Sequence, residues 1–124
     1  MADLENTIDD LVVGDDFDVI RDITIIPASQ TITEAWMTVR EESWSSSAVF
    51  TKHITPTISG DGLIEDTGAD TVGRVIFTLL NTDTIELHEY FSYAYDIQIK
   101  TSAGKLYTLE SGLLTPHASV TSEV

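Results

Sequence analysis

At 124 residues, 42% of them hydrophobic, the chain has the size of one domain and enough apolar surface for a core. Its 21 acidic and 6 basic residues give a net charge of −15, which repels phosphate backbones and anionic lipid surfaces, so neither nucleic acid nor membrane is expected as a partner. Cysteine is absent, which removes disulfides and thiolate metal sites and leaves burial and strand pairing to hold the fold.

The chain opens on Met1-Ala2-Asp3-Leu4-Glu5, acidic where a secretion signal would be basic and then apolar, and no run of about 18 apolar residues follows. Seven acids and no base fall in the first 18 residues, yet Ile8, Leu11, Val12 and Val13 offer apolar anchors among them. Residues 1–13 therefore read as an acidic arm that docks only partly on its own domain, residues 14–124, and whose anchors are free to contact a neighbouring protein. From Phe17 a two-residue alternation sets in: Phe17, Val19, Ile23 and Ile25 share one face and Asp18, Asp22 and Thr24 the other. Ile20 and Arg21 break it, which predicts a bend.

Pro27-Ala28-Ser29-Gln30 ends that strand, and a second follows with Ala35, Met37 and Val39 inside and Trp36 on the opposite face. After the polar run around Trp44, Ala48-Val49-Phe50-Thr51-Lys52-His53-Ile54 reads as an edge strand. The stretch 55–73 is the longest loop, with a short strand at Gly62-Leu63-Ile64-Glu65. Residues 74–80 are apolar on both faces, as in a strand covered twice or lying at a subunit contact. Asp83 and Glu86 have capping-box spacing, which predicts one helical turn. Phe91, Tyr93, Tyr95, Ile97 and Ile99 then alternate without fault with small and polar residues, Gly104 supplies a hairpin turn, and Lys105-Leu106-Tyr107-Thr108-Leu109-Glu110 runs back. Gly112 marks a bend or bulge, and a last β-rich segment lies at 117–121. Six to seven short strands between polar turns, with almost no helix, predict an all-β fold of two packed sheets.

Chemistry-bearing residues do not converge in the sequence. His53, His88 and His117 lack metal-site spacing, and no serine sits in a Gly-x-Ser-x-Gly elbow. Asp61, Glu65, Asp66 and Asp70 form either a solvated acidic loop or a set of oxygen ligands for a hard cation, although not with EF-hand spacing. Tyr93 and Tyr95 are inner-face aromatics or, in the alternative, a sugar-stacking pair; Tyr93 also suits the backbone-bonding tyrosine of a sandwich corner. Trp36 and Trp44 are the strongest contact residues if exposed, since tryptophan is enriched at binding hot spots. No enzyme activity and no cofactor are expected.

The Gly14-Asp15-Asp16-Phe17 entry, the 32–40 strand around Trp36, the 73–79 strand and the Tyr93-Ala94-Tyr95-Asp96-Ile97-Gln98-Ile99 strand with its Ala103-Gly104-Lys105 turn resemble immunoglobulin-like domains of tailed-bacteriophage structural proteins. The similarity covers residues 14–121 and is nearest to the N-terminal domains of baseplate upper proteins and tail-fibre anchors, with Gly112 and Val120-Thr121 matching their closing segment. The resemblance implies an immunoglobulin-like antiparallel β-sandwich of about seven strands. It also implies a non-catalytic assembly module of the virion, assembled in the host cytoplasm in symmetric multiple copies, with other virion structural proteins as partners. No stalk or receptor-binding head follows the sandwich, which points to an adaptor in the tail, neck, baseplate or fibre attachment, or to a capsid decoration protein. A carbohydrate-binding module and a small hydrolase are the competing readings.

Overall fold

The computed structural model describes residues 6–24, 26–27, 29–42, 47–69 and 71–118. Among them are eight strands, β1 (Asn6–Ile8), β2 (Phe17–Ile23), β3 (Ile32–Arg40), β4 (Phe50–Ile54), β5 (Gly62–Asp66), β6 (Gly73–Leu79), β7 (Tyr93–Thr101) and β8 (Leu106–Leu114), with one helical turn, α1 (Asn81–Thr84). They form a sandwich of a five-stranded sheet, β1-β8-β7-β3-β4, and a three-stranded sheet, β2-β6-β5. With β2 as strand B, this is the B-E-D against G-F-C-C′ order of immunoglobulin domains. The strand beyond the expected seven is β1, and it is parallel to β8 where the other pairings between these strands are antiparallel.

The alternation in β7 decides the core. Tyr93, Tyr95, Ile97 and Ile99 all point inward and are at most 3% exposed, meeting Ala35, Met37 and Val39 of β3 and, from the facing sheet, Val75, Phe77 and Leu79 of β6. Phe91, expected to begin this strand, lies before it and is exposed, its ring edge-on to Tyr93. The Tyr93 hydroxyl accepts the His88 backbone N–H at 2.7 Å, five residues upstream, which is the tyrosine-corner contact expected of it.

Two departures from the sequence reading concern β2 and β8. Arg21 does not bend β2: the strand pairs with β6 in unbroken register from Phe17 to Ile23, Arg21 faces inward and Ile20 outward. On β8, a register shift opposite Ile97 and Gln98 leaves Leu109 as the extra residue of a bulge. Because an added residue reverses the side-chain parity that follows, Glu110 turns to the inner face. Its carboxylate there accepts two bonds from the Arg21 guanidinium, at 2.7 and 3.1 Å, and a short one from the Tyr95 hydroxyl. Gly112, read as a bend or bulge, lies beyond the bulge in regular register with Tyr95. Its role is close approach, since a Cβ there would come within 2.0 Å of the Asn6 carbonyl of β1.

Residues 6–13 are correspondingly no loose arm. After β1, Thr115 donates to the Ile8 carbonyl at 2.9 Å, His117 to Leu11 at 2.8 Å and Val13 to His117 at 2.9 Å, so the segment follows the end of β8 and its continuation. Ile8 and Leu11 enter the core while Asp9 and Asp10 stay in solvent, which separates the apolar anchors from the charges around them. The turn α1 begins earlier than the capping-box reading placed it: the Asp83 carboxylate reaches back to the Leu80 N–H at 2.8 Å, and Thr84 ties α1 to the entry of β2 by donating to the Asp15 carbonyl at 2.7 Å. Of the segment 117–121, residues 119–121 lie outside the described residues; His117 makes an isolated parallel bridge with Val12.

Leu11 is a fully buried leucine, so Leu11→Ala is expected to lower the unfolding free energy by about 2–5 kcal/mol in a urea titration. A loss below about 1 kcal/mol, the range of ordinary surface substitutions, would mean that the acidic segment is not docked.

Candidate functional site

The outer faces of the two sheets differ sharply. On the five-stranded sheet, the registers place His53 of β4, Trp36 of β3, Gln98 of β7 and Thr108 of β8 in one row across four strands. The Trp36 and His53 rings stack, 5.2 Å between centroids and 7° from parallel, and His53 Nε2 lies 2.9 Å from the Glu34 carboxylate. Gln98 donates to the Thr108 hydroxyl at 3.2 Å. Cross-strand stacking and hydrogen bonding thus fix a half-buried tryptophan in one orientation, a rigid element of the kind hot spots use. On β8 the same face carries Leu106, 62% exposed, and Leu113, 36% exposed.

Asp96 stands near the centre of this face, in register with Thr38 on one side and Ser111 on the other. Partial burial raises its pKa above the ordinary carboxylate value, with attraction to Arg40 opposing the rise. A desolvated carboxylate near the centre of a sheet face is a group whose charge a partner donor would satisfy.

The outer face of the three-stranded sheet is an apolar stripe with a charged flank. Ile20, Ile76 and Leu63 are in register across β2, β6 and β5. Beside them Arg74 bonds Asp22 at 2.7 Å and Glu65 at 3.3 Å. Ile76 explains why residues 74–80 look apolar on both faces: its outer side belongs to this stripe.

The expected contact residues are dispersed. Trp36 lies on the outer face just described, and Trp44 lies outside the described residues. Ile8 and Leu11 are buried in the chain's own core; Val12 and Val13 are partly covered beside His117. Tyr93 and Tyr95 are interior, so they form no sugar-stacking platform. In the loop thought able to hold a cation, Asp61 lies 3.7 Å from the Lys52 ammonium and accepts the His53 N–H at 3.0 Å, Glu65 serves Arg74, and Asp66 accepts from the Gly68 N–H and the Thr71 hydroxyl. Among the described residues no group of three histidines or carboxylates is placed to hold a metal ion. Asp70 lies outside them. Lys52 itself is buried on the inner side of β4, its ammonium also paired with Asp83 at 2.5 Å. The sequence reading did not foresee Asp96, Leu106 or Leu113 as surface features. Their signal was the polar half of the β7 alternation and its hairpin partner, which defines a face only once β3 and β4 are known to flank it.

Comparison with protein-family models and with curated proteins gave no match to this chain.

Asp96 yields a pH test. A carboxyl whose folded pKa is raised adds stability below its unfolded value, near 3.8, and that contribution is lost as pH rises through the folded pKa. Asp96→Asn is therefore expected to stabilise the chain at pH 7, with the gain shrinking as the pH falls through that range. Thermal melts of both proteins between pH 3 and 8 check it. A variant less stable than the parent at pH 7 would show that the carboxylate is satisfied within the fold.

Proposed function

We propose that this chain is a structural subunit of a tailed-bacteriophage particle, an adaptor or assembly module that joins neighbouring virion proteins by contact and carries out no chemistry. The carrying observation is the outer face of the five-stranded sheet, where the Trp36–His53 stack is held in one orientation and, two strands away on β8, Leu106 and Leu113 are exposed. A fixed aromatic loses little side-chain entropy when a partner covers it, which is the energetic basis of a hot spot. The assignment to a phage particle rests on the sequence resemblance of the 14–121 region. Presentation in symmetric copies follows from the same reading, since closed symmetry lets one such face serve every subunit. The partners are then other virion structural proteins, and the site of action is the virion.

One feature favours the carbohydrate-binding reading: Trp36 is flanked in the sheet by Glu34, Gln98 and Thr108, polar groups of the type that bond sugar hydroxyls. Lysine-directed crosslinking of purified particles separates the two. Lys100 lies on the same face as Trp36, in register with Glu34 and Leu106, and is expected to crosslink to another virion protein, with the link lost in particles made with Trp36→Ala. Absence of the chain from purified particles would contradict the reading. So would unchanged crosslinks in the variant, and quenching of tryptophan fluorescence by surface oligosaccharides would put the carbohydrate module in its place.

A further inference from the structure

The sandwich is closed on one side of the three-stranded sheet's neighbour and open on another. Strand β1 covers the β8 edge of the five-stranded sheet, but among the described residues β2, at the edge of the three-stranded sheet, has a strand partner on one side only, β6. The direction of its main-chain groups follows from the ladder. Thr78 of β6 donates its N–H to the Asp61 carbonyl at 2.9 Å, on the β5 side, so Thr78 and its opposite residue Asp18 form a non-hydrogen-bonded pair. With a period of two, the N–H and C=O groups of Asp18, Ile20 and Asp22 all point to the open edge; the Ile20 carbonyl there accepts from the Arg21 guanidinium at 2.9 Å.

That edge borders a groove of about 340 Å³ between the two sheets. Its apolar lining includes Phe17, Val19 and Ile8, and Asp9, Asp10 and Asp18 line it as well. Arg21 also borders it, but its guanidinium is committed to Glu110 and leaves the acids unneutralised. We infer that the β2 edge is a docking site for an extended, basic segment of another protein, which adds as a strand to β2 with apolar side chains directed into the groove and lysine or arginine beside Asp18 and the Asp9–Asp10 rim. Backbone pairing gives such strand addition its affinity, and the alternate side chains give it its specificity.

Charge selects this occupant over the others. A second copy pairing antiparallel through β2 about Ile20 would set Asp18 of one chain against Asp22 of the other, and like charges directly opposite are unfavourable. The chain's first residues, with Asp3 and Glu5, would add acids to an acidic rim. The inference deepens the contact-module reading by naming the partner's chemistry.

The test uses the full chain, isotope-labelled, with two synthetic nine-residue peptides, one alternating valine with lysine and one alternating valine with glutamate. The basic peptide is expected to slow amide exchange at Asp18, Ile20 and Asp22 by about tenfold or more. Its binding should weaken as salt rises from about 0.05 M to about 0.5 M, and the acidic peptide should leave exchange unchanged. Ile20→Pro, which removes an edge-facing N–H that a strand edge can spare, is expected to keep the melting temperature and lose the protection. Should that variant unfold, Asp9→Lys with Asp10→Lys, both at exposed positions, is expected to abolish the preference for the basic peptide. Equal binding of the two peptides, full binding by Ile20→Pro, or amides at the β2 edge already protected in the free chain would each overturn the inference. Such a failure, with the particle crosslinks intact, removes strand addition and leaves the contact module standing.

Discussion

The two sheets are tied together by a carboxylate. Glu110 receives the Arg21 guanidinium through two nitrogens and the Tyr95 hydroxyl, joining β2 of one sheet to β7 and β8 of the other. Tyr95 stands two residues after the corner tyrosine, where antibody sandwiches carry the strand-F half of their inter-sheet disulfide, and β2 is the strand that carries the other half. This chain has no cysteine. A bidentate, charge-assisted pair with a phenol as third partner meets the same topological need by a different interaction. The tie is also demanding: Glu110 is 14% exposed and Arg21 33%, so loss of either partner would leave a largely desolvated charge behind. Burial pushes the Tyr95 phenol up, and the Glu110 carboxylate adds to that, so the phenol stays a donor throughout the physiological range.

The geometry of that tie depends on the β8 bulge, and its consequences reach both edges of the sandwich. Beyond the bulge, Gly112 faces Tyr95 and lets the β1 backbone lie close alongside, which closes the edge of the five-stranded sheet and brings Ile8 and Leu11 into the core. On the facing sheet, Arg21 is held inward, so β2 stays straight and shows Asp18, Ile20 and Asp22 to the outside in regular alternation. Natural sheets protect exposed edges with charge, and the two aspartates flanking Ile20 do that here against self-pairing while leaving the edge open to a basic partner. The large negative charge is thus compatible with both solubility and selective contact.

Much of this architecture was legible in the sequence, for identifiable reasons. The β7 and β3 alternations gave the inner faces, because side-chain parity is local and period two is unambiguous over nine residues. The Tyr93 corner was legible as well. Arg21 was visible as a break but not as a tie, since its partner lies 89 residues away and is turned inward by a bulge that leaves no mark in one sequence. The N-terminal segment was misjudged for a related reason. Its seven acids dominate the composition, whereas the three-residue spacing of Ile8 and Leu11 fits no regular strand and acquires meaning only against the end of β8. The outer faces were the least legible, because a face such as Trp36–His53 is assembled from strands whose order the sequence does not state.

The central claim, that a carboxylate performs the inter-sheet role of the missing disulfide, is tested most directly by the titration of Glu110 itself. Burial alone would raise its pKa, and the bonds from Arg21 and Tyr95 outweigh that, so the folded value lies below the ordinary 4.5. Its contribution to stability is therefore present above pH 4.5 and lost as the pH falls through the folded value. Carbon-detected NMR of the Glu110 side-chain carboxyl, followed downward from neutral pH, is predicted to show a midpoint below the ordinary 4.5. A midpoint at or above that value would contradict the account.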